Sequence, residues 1–358
     1  MLPAELGFMM PAEWKKHRQT FMEWPVKTAQ WPEPYSQILT GFTNIVKTIA
    51  EFEPVTVLTC PAQTKEAQTY LQTTPTRYSL QIVKIKHNDS WIRDNGPTFV
   101  CNRRKQIAGI NWKFNAWGGK YPYAEDEQVA AKLLNLLEIP RFDAPFILEG
   151  GSFHVDGEGT LLTTEECLLS KNRNPHLEKK DIEKLLHAYL GVTKVIWLPR
   201  GLADDETDGH IDNVACFAHP GLIIMQDCTN PEDPNYEIAE ENRKILESAT
   251  DAQGRNFMVF RIPQPPSLKY QNLPLTLSYI NFYFVNGGLV LPVFSGEYGE
   301  KADLPHSLKK EVKKTDEAAE SILKKVFPDR QVVPVDGRQV ARGGGNVHCL
   351  TLQMPTDE

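Results

Sequence analysis

The sequence lacks the features that most quickly place a protein. Among its six cysteines no two stand in a CxxC spacing, which excludes a zinc ribbon and a thioredoxin-like redox pair. It has no basic stripe. Its 39 Lys and Arg are outnumbered by 46 Asp and Glu, giving a net charge of −7 and a pI near 5.8. A nucleic-acid binder needs the opposite sign gathered on one face. No apolar run is long enough to span a bilayer. The start, "MLPAELGFMMPAEWKKHRQ", has no basic patch followed by an apolar stretch, so it does not read as a secretory leader. Low-complexity segments and blocks of like charge are also missing. These absences lead to the expectation of a cytoplasmic protein with reduced thiols and no nucleic-acid or membrane partner.

What is present is an ordinary globular balance, 41% hydrophobic and 24% charged over 358 residues. Apolar residues return every three or four positions in five places: 35–52, 125–138, 178–190, 235–248 and 307–326. Between them lie short β-branched runs: "VTVLT" (55–59), "LQIVKI" (80–85), "TLLTT" (160–164), "KVIWLP" (194–199), "LIIMQ" (222–226), "MVFRI" (258–262) and "LVLPV" (289–293). The commoner unit is two or three strands and then one helix. Five helices spaced by roughly 70 residues fit a repeated ββαβ unit, although no self-similarity shows in the letters. The expectation is one α/β domain over residues 1–358.

Four stretches break this pattern. In "NDSWIRDNGPTFV" (88–100), Asp-Asn-Gly-Pro is turn chemistry, but Asp89, Trp91, Arg93 and Asp94 crowd in front of it. Charged groups there are costly to bury unless paired. In "ILEGGSFHVDGEGTLLTT" (147–164), Glu149 closes an apolar segment and two glycines follow. In "DDETDGHIDNVACFA" (204–218), Asp208, His210 and Asp212 alternate, and on an extended strand they would share one face. That face suits a divalent metal or a proton shuttle. In "ARGGGNVHCLTLQMP" (341–355), three glycines run up to Cys349. Glycine lets a ligand approach the main chain. A thiol with a free pKa of about 8.5 needs a partner to become a thiolate.

Together these stretches offer Cys349, His210 and three acids, Asp94, Glu149 and Asp212. A cysteine amidase needs one orienting group, not three acids. Surplus carboxylates would raise the thiol pKa unless the substrate is itself a cation. A guanidinium fits: it is planar, always charged and rich in donors. Two carboxylates can hold its edges through charge-assisted bonds of about 1.5–3 kcal/mol each, with its carbon facing the thiol.

The chain resembles the agmatine deiminase family of the guanidine-modifying (pentein) superfamily, over nearly its whole length. The resemblance lies in "GFMMPAEW", "FMEWP", "DSWIRDNGPTFV", "NWKFNAWGGKY", "EGGSFHVDGEGTLLTTEECLL", "NRNP", "ETDGHIDN" and "GGGNVHC", in that order. It implies a five-bladed pseudo-symmetric α/β propeller of ββαβ units with the site on its axis. It implies hydrolysis of agmatine to N-carbamoylputrescine and ammonia, with no metal or organic cofactor, by a homo-oligomer serving polyamine metabolism. By motif, Cys349 would be the nucleophile and His210 the general acid and base. Asp94 and Asp212 would bind the guanidinium nitrogens, and Glu149 would bind the guanidinium or orient His210. The loop Gly343–Gly345, with Gly344 at its centre, would admit the adduct. Trp91 and Trp117 would either line the aliphatic arm or belong to the core.

Two departures bear on the substrate arm. Leu352 stands where relatives reading "HCITQQ" have a polar residue, and Arg342 precedes the glycines. An Arg342 pointing inward would accept a carboxylate and favour arginine or peptidyl-arginine; pointing outward, the preferred reading, it would be a solvated charge. Two further alternatives remain at this point: a metal hydrolase built on Asp208, His210 and Asp212, and a non-catalytic binder of polyamine-like cations.

Overall fold

The computed structural model describes residues 1–28, 31–72, 75–296 and 304–357. Among the described residues the strands form six small sheets: a two-stranded antiparallel ribbon, Lys269–Tyr270 with Leu273–Pro274, and five larger sheets in each of which the first strand is antiparallel to the second and the second parallel to the third. A parallel pair needs a crossover, and in each blade a helix supplies it. The second blade is Thr98–Cys101, Ile107–Lys113, helix Val129–Leu136 and Arg141–Ile147. The third is Phe153–Val155, Thr160–Thr164, helix Lys179–Leu190 and Lys194–Leu198. The fourth is Ala215–His219, Leu222–Asp227, helix Asn235–Ser248 and Met258–Pro263. The fifth is Tyr283–Val285, Gly288–Val293, helix His306–Val326 and Gln331–Asp336. This is the five-bladed α/β propeller.

The first blade is assembled from both ends of the chain. His17–Glu23 runs parallel to Val55–Thr59 across the helix Tyr35–Ile49, and Leu80–Lys84 adds an outer strand. Its antiparallel first strand is Leu352–Pro355, with Phe21 opposite Leu352. Leu352 and Met354 are buried beside Phe21, Leu58, Ile92 and Phe99. The departure at Leu352 is therefore a core contact of the strand that closes the ring.

All five helices lie where the apolar period placed them. Ile38, Leu39, Phe42, Ile45, Val46 and Ile49 make one buried stripe on Tyr35–Ile49. The helix Lys179–Leu190 begins with a reciprocal cap between Glu178 and Asp181 and stops at Gly191, whose φ of +70° lets its N–H reach His187. The middle strands Val55–Thr59 and Gly288–Val293 are buried at every position, which is why they read as unbroken apolar runs. First strands of neighbouring blades touch, as with Leu352–Pro355 against Thr98–Cys101 and Phe153–Val155 against Ala215–His219. They form the inner wall of the ring, and the loops that feed them converge there.

Candidate active site

Each blade delivers a polar residue from the few positions just before its first strand. Asp94 precedes Thr98–Cys101, Glu149 precedes Phe153–Val155, and His210 and Asp212 precede Ala215–His219. Asn281 precedes Tyr283–Val285, and Cys349 precedes Leu352–Pro355. The five predicted site residues, Asp94, Glu149, His210, Asp212 and Cys349, come together, and all are buried.

The Cys349 Sγ lies 3.3 Å from Asp212 Oδ2 and accepts from Asn281 Nδ2 at 3.1 Å. Burial, then Asp212 and Asp94, holds its pKa well above the ordinary thiol value. Asp212 is held below the usual carboxylate range: burial pushes it up, but His348, His210 and Cys349 together more than offset that. Its Oδ1 is buried and has no hydrogen-bond partner among the described residues. Across from it, Asp94 accepts from Gly151 N at 2.8 Å and from Trp117 Nε1 at 2.9 Å.

His210 stands behind these acids. Its Nδ1 is 3.8 Å from Asp94 Oδ1 and its Nε2 is 4.0 Å from Glu149 Oε2. Neither nitrogen has a hydrogen-bond partner among the described residues. Burial lowers its pKa, but Asp94, Cys167 and Asp212 raise it further, and the net is well above the ordinary value. Glu149 is fixed by Arg173, whose Nε donates to Oε1 at 2.7 Å.

The glycines mark close approaches. A Cβ on Gly151 would lie 2.6 Å from His210 Nδ1 and 2.9 Å from both Asp94 Oδ1 and Asp212 Oδ2, filling the space those groups share. Trp31 and Trp91 stack at 5.3 Å, and both indoles donate to Asp89. A Cβ on Gly343 would strike Trp31 and one on Gly345 would strike Trp91, each at 2.6 Å. Gly344 has a φ of +101°. Trp91, Trp117, Gly344, Asp94 and Cys349 line one slot, whose mouth is edged by Tyr121 and Glu206. A much larger hollow lies elsewhere, around Phe8 and Arg103, and contains none of the five residues.

Two expectations change, the shared strand face and the metal set, and the outward reading of Arg342 holds. Residues 205–210 form turns and Ile211–Asn213 a single 3₁₀ turn, so Asp208, His210 and Asp212 do not share a strand face. Asp208 has a φ of +63° and turns to Lys120 and Arg173, at 2.7 and 2.6 Å. Arg342 lies outside the slot, donating to Gln37 and stacking over Tyr270 at 4.2 Å. Among the described residues, the group able to hold a metal is instead Glu149, Cys167 and His210.

Sequence reasoning also passed over several residues of the site. Asn281 had no signal beyond being a polar residue before a β-run. Glu206 was hidden in an acidic loop, and Arg173 in "NRNP" was quoted without a role. His348 was seen only as a neighbour of Cys349. It bonds Asp212 Oδ2 through Nδ1 at 2.9 Å and Glu13 Oε1 through Nε2 at 3.0 Å. Arg93 donates to the same Glu13 at 3.1 Å, the structural bridge its burial called for.

Known proteins are similar to this chain along its whole length. A family model described as Porphyromonas-type peptidyl-arginine deiminase matches residues 9–355. The agmatine deiminase of Pseudomonas syringae pv. tomato is 42% identical, over 99% of this chain and 97% of that one. The agmatine deiminase of Ectopseudomonas mendocina is 41% identical, over 99% and 98%. A solved structure of the Enterococcus faecalis agmatine deiminase superposes with a TM-score of 0.90 at 34% identity, covering 100% of this chain and 98% of that one. With a full-length family match, close full-length relatives and the ring of five polar loops all in agreement, this chain belongs to the Porphyromonas-type peptidyl-arginine deiminase family and, within it, to the agmatine deiminases.

Proposed function

We propose that the protein hydrolyses agmatine to N-carbamoylputrescine and ammonia through a thiouronium on Cys349. The observation that carries this reading is a nucleophile beside two buried carboxylates, with an unpartnered imidazole behind them. Asp212 Oδ1 and the Asp94 carboxylate face the edges of a planar guanidinium, which sets its carbon against Cys349 Sγ. The bound cation offsets the two acids that hold the thiol protonated. Substrate binding and thiolate formation are then one event, in which the thiol proton leaves to solvent. The thiolate attacks the guanidinium carbon, and imidazolium His210 gives a proton to the leaving nitrogen, which departs as ammonia. Neutral His210 then takes a proton from water, the water adds to the same carbon, and collapse expels the thiolate and leaves a urea. Asn281 Nδ2 stabilises the sulfur charge at the start and end of the cycle. Glu149, held by Arg173, orients His210.

The slot also favours agmatine over arginine or a peptide. A substrate carboxylate needs a cation at the mouth, and the mouth presents Glu206 instead. Burial raises the Glu206 pKa and Lys120 lowers it, with a net rise; an ammonium arriving there would favour the carboxylate. Lys120 is tied to the Glu206 carbonyl and Asp208. The same reading takes residues 1–358 as one catalytic domain. It takes the protein to be cytoplasmic, a location that six free cysteines suit, and to be a homo-oligomer.

The test is parallel incubation with agmatine, arginine and a blocked arginine peptide, chelator present, reading ammonia and ureido product. Turnover of agmatine alone, abolished in Cys349→Ala, is expected. Turnover of arginine or the peptide would overturn the substrate assignment. No turnover of any guanidine by a folded protein would overturn the chemistry.

A further inference from the structure

We propose that Glu149, Cys167 and His210 form a site for a thiophilic divalent cation such as Zn²⁺, and that its occupation switches the enzyme off. The switch, though not the site, rests on the role given to His210 above.

One donor atom from each of the three residues lies within 4.8 Å of the others, and all three residues are buried. Tetrahedral zinc with bonds of about 2.0–2.3 Å sets its donors roughly 3.3–3.5 Å apart. The side chains must therefore close by little more than an ångström. The set is also held in place. Arg173 fixes Glu149 through Oε1, leaving Oε2 toward His210 Nε2 at 4.0 Å. Cys167 sits on the turn Glu165–Leu168, capped by Thr164, whose hydroxyl donates to Gly209 O beside His210.

The ring nitrogens are the second observation. Buried imidazole nitrogens normally find partners, and those of His210 have none among the described residues. A metal-bound histidine usually gives its other N–H to a carboxylate. With Nε2 on the cation, Nδ1 faces Asp94 at 3.8 Å. Carboxylate, thiolate and neutral imidazole balance a divalent charge. Binding forms three coordinate bonds, and the protons of the thiol and the imidazolium leave to solvent. A thiolate donor selects zinc or cadmium over magnesium or calcium. Occupation removes the lone pair that His210 uses to move protons and leaves Cys349 untouched, so the enzyme would bind substrate and not turn it over.

The experiment uses Co²⁺, whose thiolate charge-transfer band reports the sulfur donor directly, on the full-length Cys349→Ser protein. The expected result is a near-ultraviolet band that Zn²⁺ displaces. The band should vanish in Cys349→Ser/Cys167→Ser, with circular dichroism unchanged. If that double variant does not fold, Cys349→Ser/His210→Gln replaces it, with at least a tenfold weaker Co²⁺ affinity expected. Absence of a band in Cys349→Ser, survival of the band without Cys167, or unchanged affinity without His210 would overturn the site. The band needs no turnover. Turnover without a band sinks this inference alone, and a band without turnover sinks the assigned reaction alone.

Discussion

Two buried histidines stand a few side chains apart, on either side of Asp212, and the fold treats them oppositely. His348 has both nitrogens bonded to carboxylates, Asp212 and Glu13. An acceptor on each nitrogen fits the doubly protonated ring, in which both are donors. His210 also faces two acids, but at 3.8 Å from Asp94 and 4.0 Å from Glu149 it bonds neither. The first arrangement spends the charge on holding structure together: it links the closing segment to Glu13 and Arg93 and keeps Asp212 ionised. The second raises the pKa of an imidazole that no partner holds, which suits the proton transfer proposed for it. On the proposed mechanism the bound histidine is a brace and the unbound one a tool, and sequence alone does not distinguish them.

The comparison can be broken in several ways. The largest effect belongs to His210→Gln, which should lower kcat by about 10²–10⁴ while leaving the denaturation midpoint close to that of the wild type. Steady-state kinetics and urea unfolding on one preparation would read both. A large stability loss there would make His210 a second brace. His348→Gln should do the reverse. Breaking a buried charged network costs about 3–5 kcal/mol, visible as a drop in the unfolding midpoint, with kcat retained to within roughly tenfold. Full stability with lost activity would reverse the two roles. Away from both histidines, Glu206→Gln removes a half-screened charge. Its effect should be a KM for agmatine raised up to about fivefold with kcat unchanged, and a changed kcat would place Glu206 closer to the chemistry.

The smallest effect is a pH dependence. Burial and Arg93 lower the His348 pKa, but Glu13 and Asp212 raise it more, so the folded value is above the ordinary one. Its contribution to stability is therefore complete below the unfolded value of about 6.5. It is lost as pH rises through the higher folded value. Unfolding midpoints measured on both sides of neutrality should fall with rising pH more in the wild type than in His348→Gln. Parallel curves would show that the brace does not depend on charge.

Much of this was legible in the letters. Amphipathic stripes such as Ile38 to Ile49 fixed five helices, because a helix buried on one side must repeat its apolar residues at its own period. Glycines beside acids pointed to the site because nothing larger fits at Gly151 or Gly345. What stayed hidden was pairing across the ring. Asp208 and Asp212 read alike, and only the turn at Asp208 sends one to Arg173 and the other to Cys349. Asn281 and Glu13 carry no local pattern, since their partners lie in other blades. Arg342 could not be assigned until Gln37 and Tyr270 were seen to hold it.

The strand that closes the ring has a consequence for synthesis. Cys349 is made after every other member of its site and is set in place only when Leu352–Pro355 zips onto His17–Glu23. A chain still on the ribosome, or one cut short, carries the acids and the imidazole but no seated nucleophile. On the proposed mechanism, reactivity therefore depends on this last strand of the ring being paired with the first.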